Sequence, residues 1–325
     1  MSESKNVSRR QFVGTTIAAA AAAGIAKNDV MAALEDNAKQ DAEFNGMPCG
    51  FLGKAKISRL MLGGNLIGGY MHCRDLKYVN QLFRAYANEE KILETLAIAE
   101  ENGINTVFET GADFVAKYNQ KYNGQMQIIP HIAVSNSPEQ VEDEVKRNID
   151  AGAVAHYAWG AHSDALVRAG DIDRLKRSME IAKKYDLPVG VGGHSLQVAM
   201  ACEEHDIPCD FYVKTLHTDD YFSATPKQLQ KDFMWVGGAP GWHDNMWCID
   251  VDKVIEFFAT QEKPWVAFKV LAAGAIPPRQ GLTHAFENGA DFVPLGMFDF
   301  QIKEDCDLAK RIIRRAESRP RPWRA

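Results

Sequence analysis

Several signatures that assign a function directly are missing from this sequence. No CxxC pair occurs among its six cysteines, so a zinc site built from thiolates is not predicted. The sequence has neither HxH nor HExxH spacing, and no GxGxxG follows the first predicted strand. Six cysteines in 325 residues do not form a disulfide framework; only Cys202 and Cys209 are close in sequence, and spacing alone does not pair them. Function must therefore be inferred from the fold and from residues far apart in the chain.

A strong imbalance of charge is also absent. The formal net charge is −6, and acidic and basic residues are interspersed along the chain. A surface for nucleic acid or for an anionic membrane needs a basic patch, which this pattern does not provide. We therefore expect a small-molecule substrate, no nucleic-acid partner and no stable insertion into a membrane.

The beginning of the chain has the features of an export signal. Arg9 and Arg10 lie in a short polar segment, and the alanine-rich run at 15–23 that follows is too short to span a bilayer. This leader resembles the signals of the twin-arginine (Tat) pathway, which implies recognition by the Tat export machinery and a periplasmic or extracellular location. We therefore predict a Tat signal peptide and linker at 1–42 and a single domain at 43–325.

Beyond the leader, short β-branched or apolar runs alternate with stretches of helical periodicity. This alternation is typical of parallel strands that are joined by crossover helices. Helix ends are marked as well, since Asn88 and Ser137 can begin helices and Gly103 and Gly289 can end them. Eight strands are predicted, at 57–63, 104–109, 127–134, 153–159, 188–193, 210–216, 265–270 and 291–295. They predict a (β/α)8 TIM barrel, with a doubly wound open sheet as the alternative.

Two connections, 64–87 and 217–249, are longer than the usual few residues. Such loops are either functional lids or Ω-loops that pack on their own side chains. Both follow the carboxyl end of a predicted strand, which is the face where barrel enzymes build their sites. The residues that we predict to contact substrate on this face are Asn65, His131, Trp159, Trp242, His243 and Trp247.

Histidines follow three neighbouring predicted strands at their carboxyl ends. These are His162, His194 and His217, and Glu109 ends the second strand on the same face. Imidazoles with a carboxylate are the ligand set of an open zinc, manganese or iron site, so the four residues predict a divalent metal. In the alternative, the histidines only hydrogen-bond to substrate or backbone.

Two lysines indicate a different chemistry. Lys214 lies within the sixth predicted strand and Lys269 within the seventh. A lysine that faces the barrel interior is costly to bury charged, so its pKa should fall, as an imine-forming amine requires. The segments YVKT and AFKVLAAGAI around them are similar to strands of class I deoxyribose-phosphate-type aldolases, which implies a Schiff base on Lys214 that Lys269 assists. Alternatively, the lysines pair with an internal carboxylate such as Glu109 or Asp299.

A second resemblance covers most of the predicted barrel. Residues 103–114 (GINTVFETGADF) resemble the second-strand motif of the aldo/keto reductases. Residues 60–65 (LMLGGN) and 190–195 (GVGGHS) are similar to the first and fifth strands of that family. The resemblance implies a (β/α)8 fold and NADPH-dependent reduction of a carbonyl group.

The catalytic residues of that family are only partly present. The family's aspartate falls on Glu109 and its histidine on His162, but its tyrosine falls near Phe114 and its lysine has no counterpart in 131–134. Without a phenol to protonate the carbonyl oxygen, hydride transfer would lack its general acid. We therefore interpret the chain as a divergent relative with changed chemistry, for which NADPH is the less favoured cofactor.

Together these patterns predict an exported enzyme that moves a proton next to a carbonyl group of a sugar-like substrate, as an isomerase, epimerase or lyase. Its catalytic candidates are Glu109, His162, Lys214 and Lys269. The predicted metal would polarise the substrate oxygens. The alternatives are an NADPH-dependent reductase, an aldolase that uses Lys214, and a sugar-binding barrel without catalysis.

Overall fold

Eight parallel strands surround the centre of the structure. The computed structural model describes residues 42–72, 76–230 and 248–325, and Glu43–Ala325 forms one compact unit. The central strands are β4 (Leu60–Gly63), β5 (Thr106–Glu109), β6 (Gln127–Ile132), β7 (His156–Ala158), β8 (Val189–Gly193), β9 (Phe211–Thr215), β10 (Trp265–Phe268) and β11 (Val293–Leu295). They pair in sequence order, and β4 also pairs with β11. A parallel bridge between Val266 and Phe292 joins β10 to the chain entering β11, so the predicted (β/α)8 barrel is confirmed.

Helices connect the strands on the outside of the barrel. They are α1 (Gly64–Ile67), α2 (Lys77–Tyr86), α3 (Glu89–Glu101), α4 (Ala112–Tyr122), α5 (Pro138–Asp150), α6 (Gly160–Arg168), α7 (Ile172–Ala182), α8 (Leu196–Glu204), α9 (Val251–Ala259), α10 (Pro278–Glu287) and α11 (Asp299–Arg315). The Asn88 side chain accepts a hydrogen bond from the backbone of Lys91, and Ser137 with Gln140 forms a capping box. None of the helices in the described ranges is both long enough and apolar enough to cross a membrane.

Large side chains fill the interior of the barrel. They form one buried cluster, made of Leu52, Ile57, Met61, Phe108, Ile129, Ala155, Tyr157, Phe211, Val213, Val266 and Phe292. Tyr157 stacks on Phe108 with 4.8 Å between the ring centroids. A Cβ added to Gly190 would lie 2.3 Å from the Phe211 ring. A Cβ added to Gly192 would lie 3.0 Å from the Tyr157 ring. The glycines of β8 therefore make room for the aromatic rings.

A small sheet and the last residues of the chain pack at the amino-terminal end of the barrel. The sheet consists of β1 (Glu43–Phe44), β2 (Met47–Leu52) and β3 (Ala55–Ser58). Buried Asp291 forms ion pairs with Arg319 at 2.9 Å and Arg321 at 2.7 Å. The Trp323 ring lies against the guanidinium groups of Arg59 and Arg319. This end of the barrel is therefore built for packing, and the carboxyl end is left for a site.

Candidate active site

A cavity of about 270 Å³ opens at the carboxyl ends of β4, β5, β10 and β11. Its polar side chains are Asn65, Tyr70, His72, Glu109, Lys269 and Gln301. The remaining lining is mostly apolar side chains and glycine, a combination that orients a small ligand by a few polar groups.

Lys269 lies directly after β10 with its backbone in the left-handed region, at a φ of +57°. Burial lowers the pKa of its ammonium group to about 8, although the nearby carboxylate of Glu109 acts in the opposite direction. The Nζ atom donates a hydrogen bond to Nε2 of His72 at 3.1 Å. Lys269 is therefore an amine that can keep or lose its proton close to neutral pH.

Glu109 is the last residue of β5 and lines the same cavity. Its φ of +89° is also in the region that residues other than glycine rarely adopt. Burial raises the pKa of the carboxyl group, while the charge of Lys269 and a hydrogen bond from the Trp159 indole lower it. Strained backbone of this kind costs about 1–3 kcal/mol per residue and clusters at functional sites. Two such residues of opposite charge in one cavity indicate a site built for chemistry.

His72 is the third polar group of the site. The positive charge of Lys269 is the main reason that the pKa of His72 falls to about 3. The ring is therefore neutral at physiological pH, and its Nε2 accepts from Lys269 and faces the side-chain amide of Asn65 at 3.4 Å. Because both neighbours are donors, this nitrogen must be unprotonated. The predicted substrate residue Asn65 thus lines the cavity, whereas His72 was not predicted, because a histidine within a long loop follows no pattern.

The predicted residues His131, Trp159 and His162 lie together next to Glu109. Trp159 is stacked on His131 at 5.1 Å and lies against His162 at 4.7 Å between ring centroids. The Nδ1 atom of His162 is 2.7 Å from the hydroxyl of Ser135. Burial lowers the pKa of His131 to about 4 and also lowers that of His162. In the described residues these rings do not line the cavity, so they support Glu109 through the indole of Trp159.

His194 is held by a carboxylate at the end of β8. Its Nδ1 atom is 2.7 Å from Asp164, whose oxygens also accept hydrogen bonds from the backbone of His194 and Ser195. The ring packs against Phe268 at 5.2 Å between centroids. Burial lowers the pKa of His194 to about 4 even though Asp164 opposes this effect. His194 therefore forms part of the wall behind Lys269.

Lys214 has a different position from the one predicted. Lys214 and Tyr212 are two positions apart in β9, so both lie on the same face of the strand. The Tyr212 ring packs on Phe258 in the helical layer, so this is the outer face of the barrel. The Lys214 ammonium donates to the hydroxyl of Thr215 at 2.7 Å, and the residue is 2 % exposed. Lys214 does not line the described cavity, and its role as the imine-forming amine stays a prediction.

The four predicted metal ligands do not converge. In 42–72, 76–230 and 248–325, no group of three or more His, Cys, Asp or Glu side chains is arranged to hold a metal ion. His162 is bonded to Ser135 and His194 to Asp164, while Nδ1 of His217 donates to the carbonyl of Thr218 at 3.0 Å. Each of these three histidine rings is turned toward its own neighbour, so the predicted ligands are not arranged around a common point. Binding of a divalent metal by other groups stays a prediction, as does that of NADPH.

Three of the predicted substrate residues are not part of the structure described above. Trp242, His243 and Trp247 lie outside the described residues. Asp299, predicted as a partner for a buried lysine, instead accepts hydrogen bonds from Tyr86 and Lys91 at the start of α11. Glu109 is the carboxylate whose charge acts on Lys269.

Comparison with solved structures agrees with the fold. An aldo-keto reductase-like protein from Pseudomonas aeruginosa is 15 % identical, with a TM-score of 0.55, over 85 % of this chain and 97 % of that protein. A mandelate oxidase is 12 % identical with a TM-score of 0.47, over 87 % and 80 % of the two chains. At these identities the likeness concerns the barrel alone. No protein-family profile and no curated protein sequence matches the chain.

Proposed function

We propose that this chain is a (β/α)8 enzyme that moves a proton next to the carbonyl group of a small, sugar-like molecule. The observation that carries this proposal is the placement of Glu109 and Lys269 in one cavity at the carboxyl face. A carboxylate with a raised pKa is a general base suited to neutral pH. An ammonium group in the same cavity can donate a hydrogen bond to an oxygen on which negative charge develops.

The proposed reaction starts with Glu109 as a carboxylate and Lys269 as an ammonium group. The Glu109 carboxylate takes a proton from the carbon next to the carbonyl, and the electron pair moves to the carbonyl oxygen. The Lys269 ammonium stabilises that oxygen, and its hydrogen bond to His72 at 3.1 Å fixes its direction. If the α-hydroxyl proton passes to the former carbonyl oxygen and Glu109 returns its proton to the former carbonyl carbon, the product is an isomer. If a proton from solvent adds to the opposite face of the original carbon, the product is an epimer and the proton on Glu109 is lost to solvent.

The proposal includes no step through a metal or NADPH. A divalent metal would polarise the substrate oxygens, as predicted from the sequence. The four predicted ligands do not come together among the described residues, so they do not fit that role. For hydride transfer from NADPH, the position of the aldo/keto-reductase tyrosine falls near Phe114 in this sequence, although the phenol of Tyr70 lines the described cavity.

Exchange of hydrogen with solvent tests the proposal directly. The purified chain is incubated in deuterium oxide with glucose, fructose, xylose and dihydroxyacetone, and the carbon-bound protons are followed by NMR. We expect incorporation of deuterium next to the carbonyl of at least one sugar. Glu109→Gln should slow this by about 100-fold to 10,000-fold, because the base is lost. Exposed Glu256→Gln on α9 is the matched control and should not change the rate. Binding of a sugar without any exchange would support the non-catalytic barrel instead.

An imine-forming aldolase is the second candidate, now with Lys269 as the amine. The observation that favours it is the pKa of about 8 for an amine that lines a cavity. Treatment with borohydride in the presence of the same sugars would then leave a covalent adduct on Lys269. Deuterium exchange without an adduct supports the acid–base enzyme, and an adduct supports the aldolase.

We also propose that the protein is exported. Arg9 and Arg10 in a polar leader, followed by a short alanine-rich run, support recognition by the Tat machinery. This segment lies outside the described residues. Fractionation of cells that express the full chain tests whether the protein reaches the periplasm or the medium.

A further inference from the structure

A serine and a histidine form a hydrogen-bonded pair at the carboxyl face of the barrel. Ser135 lies in the loop between β6 and α5, and His162 lies in the first turn of α6. The hydroxyl oxygen Oγ of Ser135 is 2.7 Å from Nδ1 of His162. Neither residue lines the described cavity of Glu109 and Lys269. Both are half-buried, so solvent reaches the pair.

The backbone decides which atom of this pair donates. The backbone N–H of Ser135 also points to Nδ1 of His162, at 3.4 Å. A backbone N–H can only donate, so Nδ1 carries no proton and accepts from the hydroxyl as well. Burial and the charge of Arg174 both lower the pKa of His162, which keeps the ring neutral. A serine hydroxyl that donates to a neutral imidazole is the arrangement of a nucleophile and its base.

The loop that carries the serine is held by hydrogen bonds from the next helix. The guanidinium of Arg174 donates to the carbonyl of Ser135. The hydroxyl of Ser178 donates to the carbonyl of Val134 at 3.1 Å. Both donors lie in α7, which packs outside the barrel. The Ser135 hydroxyl therefore has a fixed position beside His162, as a nucleophile requires.

We propose that Ser135 is a nucleophile that takes the acyl group of a small ester, with His162 as its base. Oγ attacks the carbonyl carbon of the ester while its proton passes to Nδ1 of His162. The bond to the leaving oxygen then breaks, and that oxygen takes the proton from His162. Water next attacks the acyl carbon and gives one proton to His162, and the carboxylic acid leaves as Ser135 recovers that proton. This inference does not depend on the proposed function.

The surroundings of the pair favour an aryl ester. In serine hydrolases with a triad, a carboxylate orients the histidine and stabilises its charged form. Within the described part of the chain, His162 has no carboxylate partner. A base without that support suits a leaving group that departs readily, such as a phenolate. The half-buried Trp159 ring lies 4.7 Å from the His162 ring between centroids and offers an apolar face to the aryl group.

Covalent labelling with phenylmethanesulfonyl fluoride tests the proposal on the full chain. The nucleophile attacks the sulfonyl sulfur, an oxygen–sulfur bond forms, and fluoride leaves. Cleavage with trypsin after Lys121 and Lys146 places two serines on one peptide, 122–146. Fragmentation should locate the adduct on Ser135 and not on Ser137, whose hydroxyl is bonded to the backbone of Gln140. Protein unfolded in urea should not be labelled, because the pair is lost. A native protein without an adduct on Ser135 would overturn the proposal.

Variants assign the two roles. His162→Gln should slow the labelling of Ser135 by about 100-fold or more, because the base is lost. Ser135→Ala should lose the turnover of p-nitrophenyl acetate that the wild-type protein shows.

Ser195→Ala is the matched control. Ser195 follows β8 on the same face of the barrel, and its hydroxyl accepts from the backbone of Gln197 at 3.3 Å. Labelling and turnover in this variant should equal those of the wild-type protein. Melting temperatures show which variants are folded, and labelling of the wild-type protein decides the question if one is not. Equal labelling of Ser135 in wild type and folded His162→Gln would contradict the role of the histidine.

Discussion

At the residue scale, the site depends on how two charged groups share one cavity. Glu109 ends β5 and Lys269 directly follows β10, and both residues have a positive φ. Each side chain therefore departs from the regular in-and-out alternation of its strand. Burial disfavours each charge, and the opposite charge of the partner restores it. Both groups are therefore charged between the pKa of Glu109 and that of Lys269, which is the state that the proposed reaction requires.

The pH dependence of activity should follow from these two groups. Below the raised pKa of Glu109 the base is protonated, and above about pH 8 Lys269 loses its charge, so the rate should fall on both sides. In Lys269→Arg the side chain stays charged, so any remaining activity should lose its alkaline limb near pH 8. The measurement is the rate of deuterium exchange against pH. Lys269→Met should lower the rate by about 100-fold or more. An activity that rises through pH 8 would contradict this assignment and support imine formation.

Trp159 should act on the site through Glu109. Its indole N–H donates to the carboxylate, and this lowers the pKa of Glu109. Trp159→Phe keeps an aromatic ring between His131 and His162 but removes the donor, so the acid limb of the pH profile should move to higher pH. In the background of Glu109→Gln the same substitution should have little further effect. An unchanged acid limb would show that the contact is structural only.

Sequence reasoning reached only part of this site. Glu109 and Lys269 were predicted, because a residue at the carboxyl end of a barrel strand lies on the functional face. The four predicted metal ligands are not grouped as a ligand set in the described residues, because strand position fixes the face of the barrel but not the direction of a ring. His194 turns to Asp164, and this pairing is formed by residues 30 positions apart. His72 carries no sequence signal and is recognised by its contact with Lys269.

At the element scale, the prediction was more complete. All eight strands and the ends of α3, α5 and α10 follow from alternation and from capping residues in the sequence. The strands are shorter than predicted; the fourth, for example, extends only over His156–Ala158. The hydrophobic run in the sequence extends past the residues that pair in the sheet, because residues near both ends of the strand are also buried. Hydrophobic runs therefore locate a strand but overestimate its length.

The glycines of β8 provide a test of packing inside the barrel. A Cβ at Gly190 would lie 2.3 Å from the ring of Phe211, which is fully buried. Gly190→Ala should therefore destabilise the protein by about 1–3 kcal/mol, measured by urea denaturation. Phe211→Leu removes the clashing ring, so the double variant should be more stable than the sum of the two single effects predicts. Simple additivity would show that the ring is not the source of the cost.

At the scale of the whole molecule, the barrel could be predicted from the sequence, but the contacts that cover its amino-terminal end could not. Repeated strand and helix signals predict the eight units, because each unit is local in sequence. The amino-terminal end is held by contacts that no local pattern reveals. Arg59 donates to the backbone of Asp291 across 232 positions, and its guanidinium lies 3.8 Å from the centroid of the Trp323 ring. The tail after α11 appears in the sequence only as a run of arginines and prolines.

Asp291 should be the main electrostatic support of this end. Its side-chain oxygens accept hydrogen bonds from Arg319, from Arg321, and from the backbone of Trp265 and Arg324, and its side chain is fully buried. Asp291→Asn would leave two buried guanidinium groups without a counter-charge and should lower the free energy of unfolding by about 3–5 kcal/mol.

The control for this change is an ion pair of the same tail. Glu262 pairs with Arg324 at 2.7 Å, but its side chain is 78 % exposed. Glu262→Gln should therefore change the stability by less than about 1 kcal/mol. Urea denaturation measures both variants, and the exchange rate of the folded protein should be equal to wild type, because the cavity lies at the opposite end of the barrel. If the two variants lost similar stability, the buried network would not be what holds the tail against the barrel.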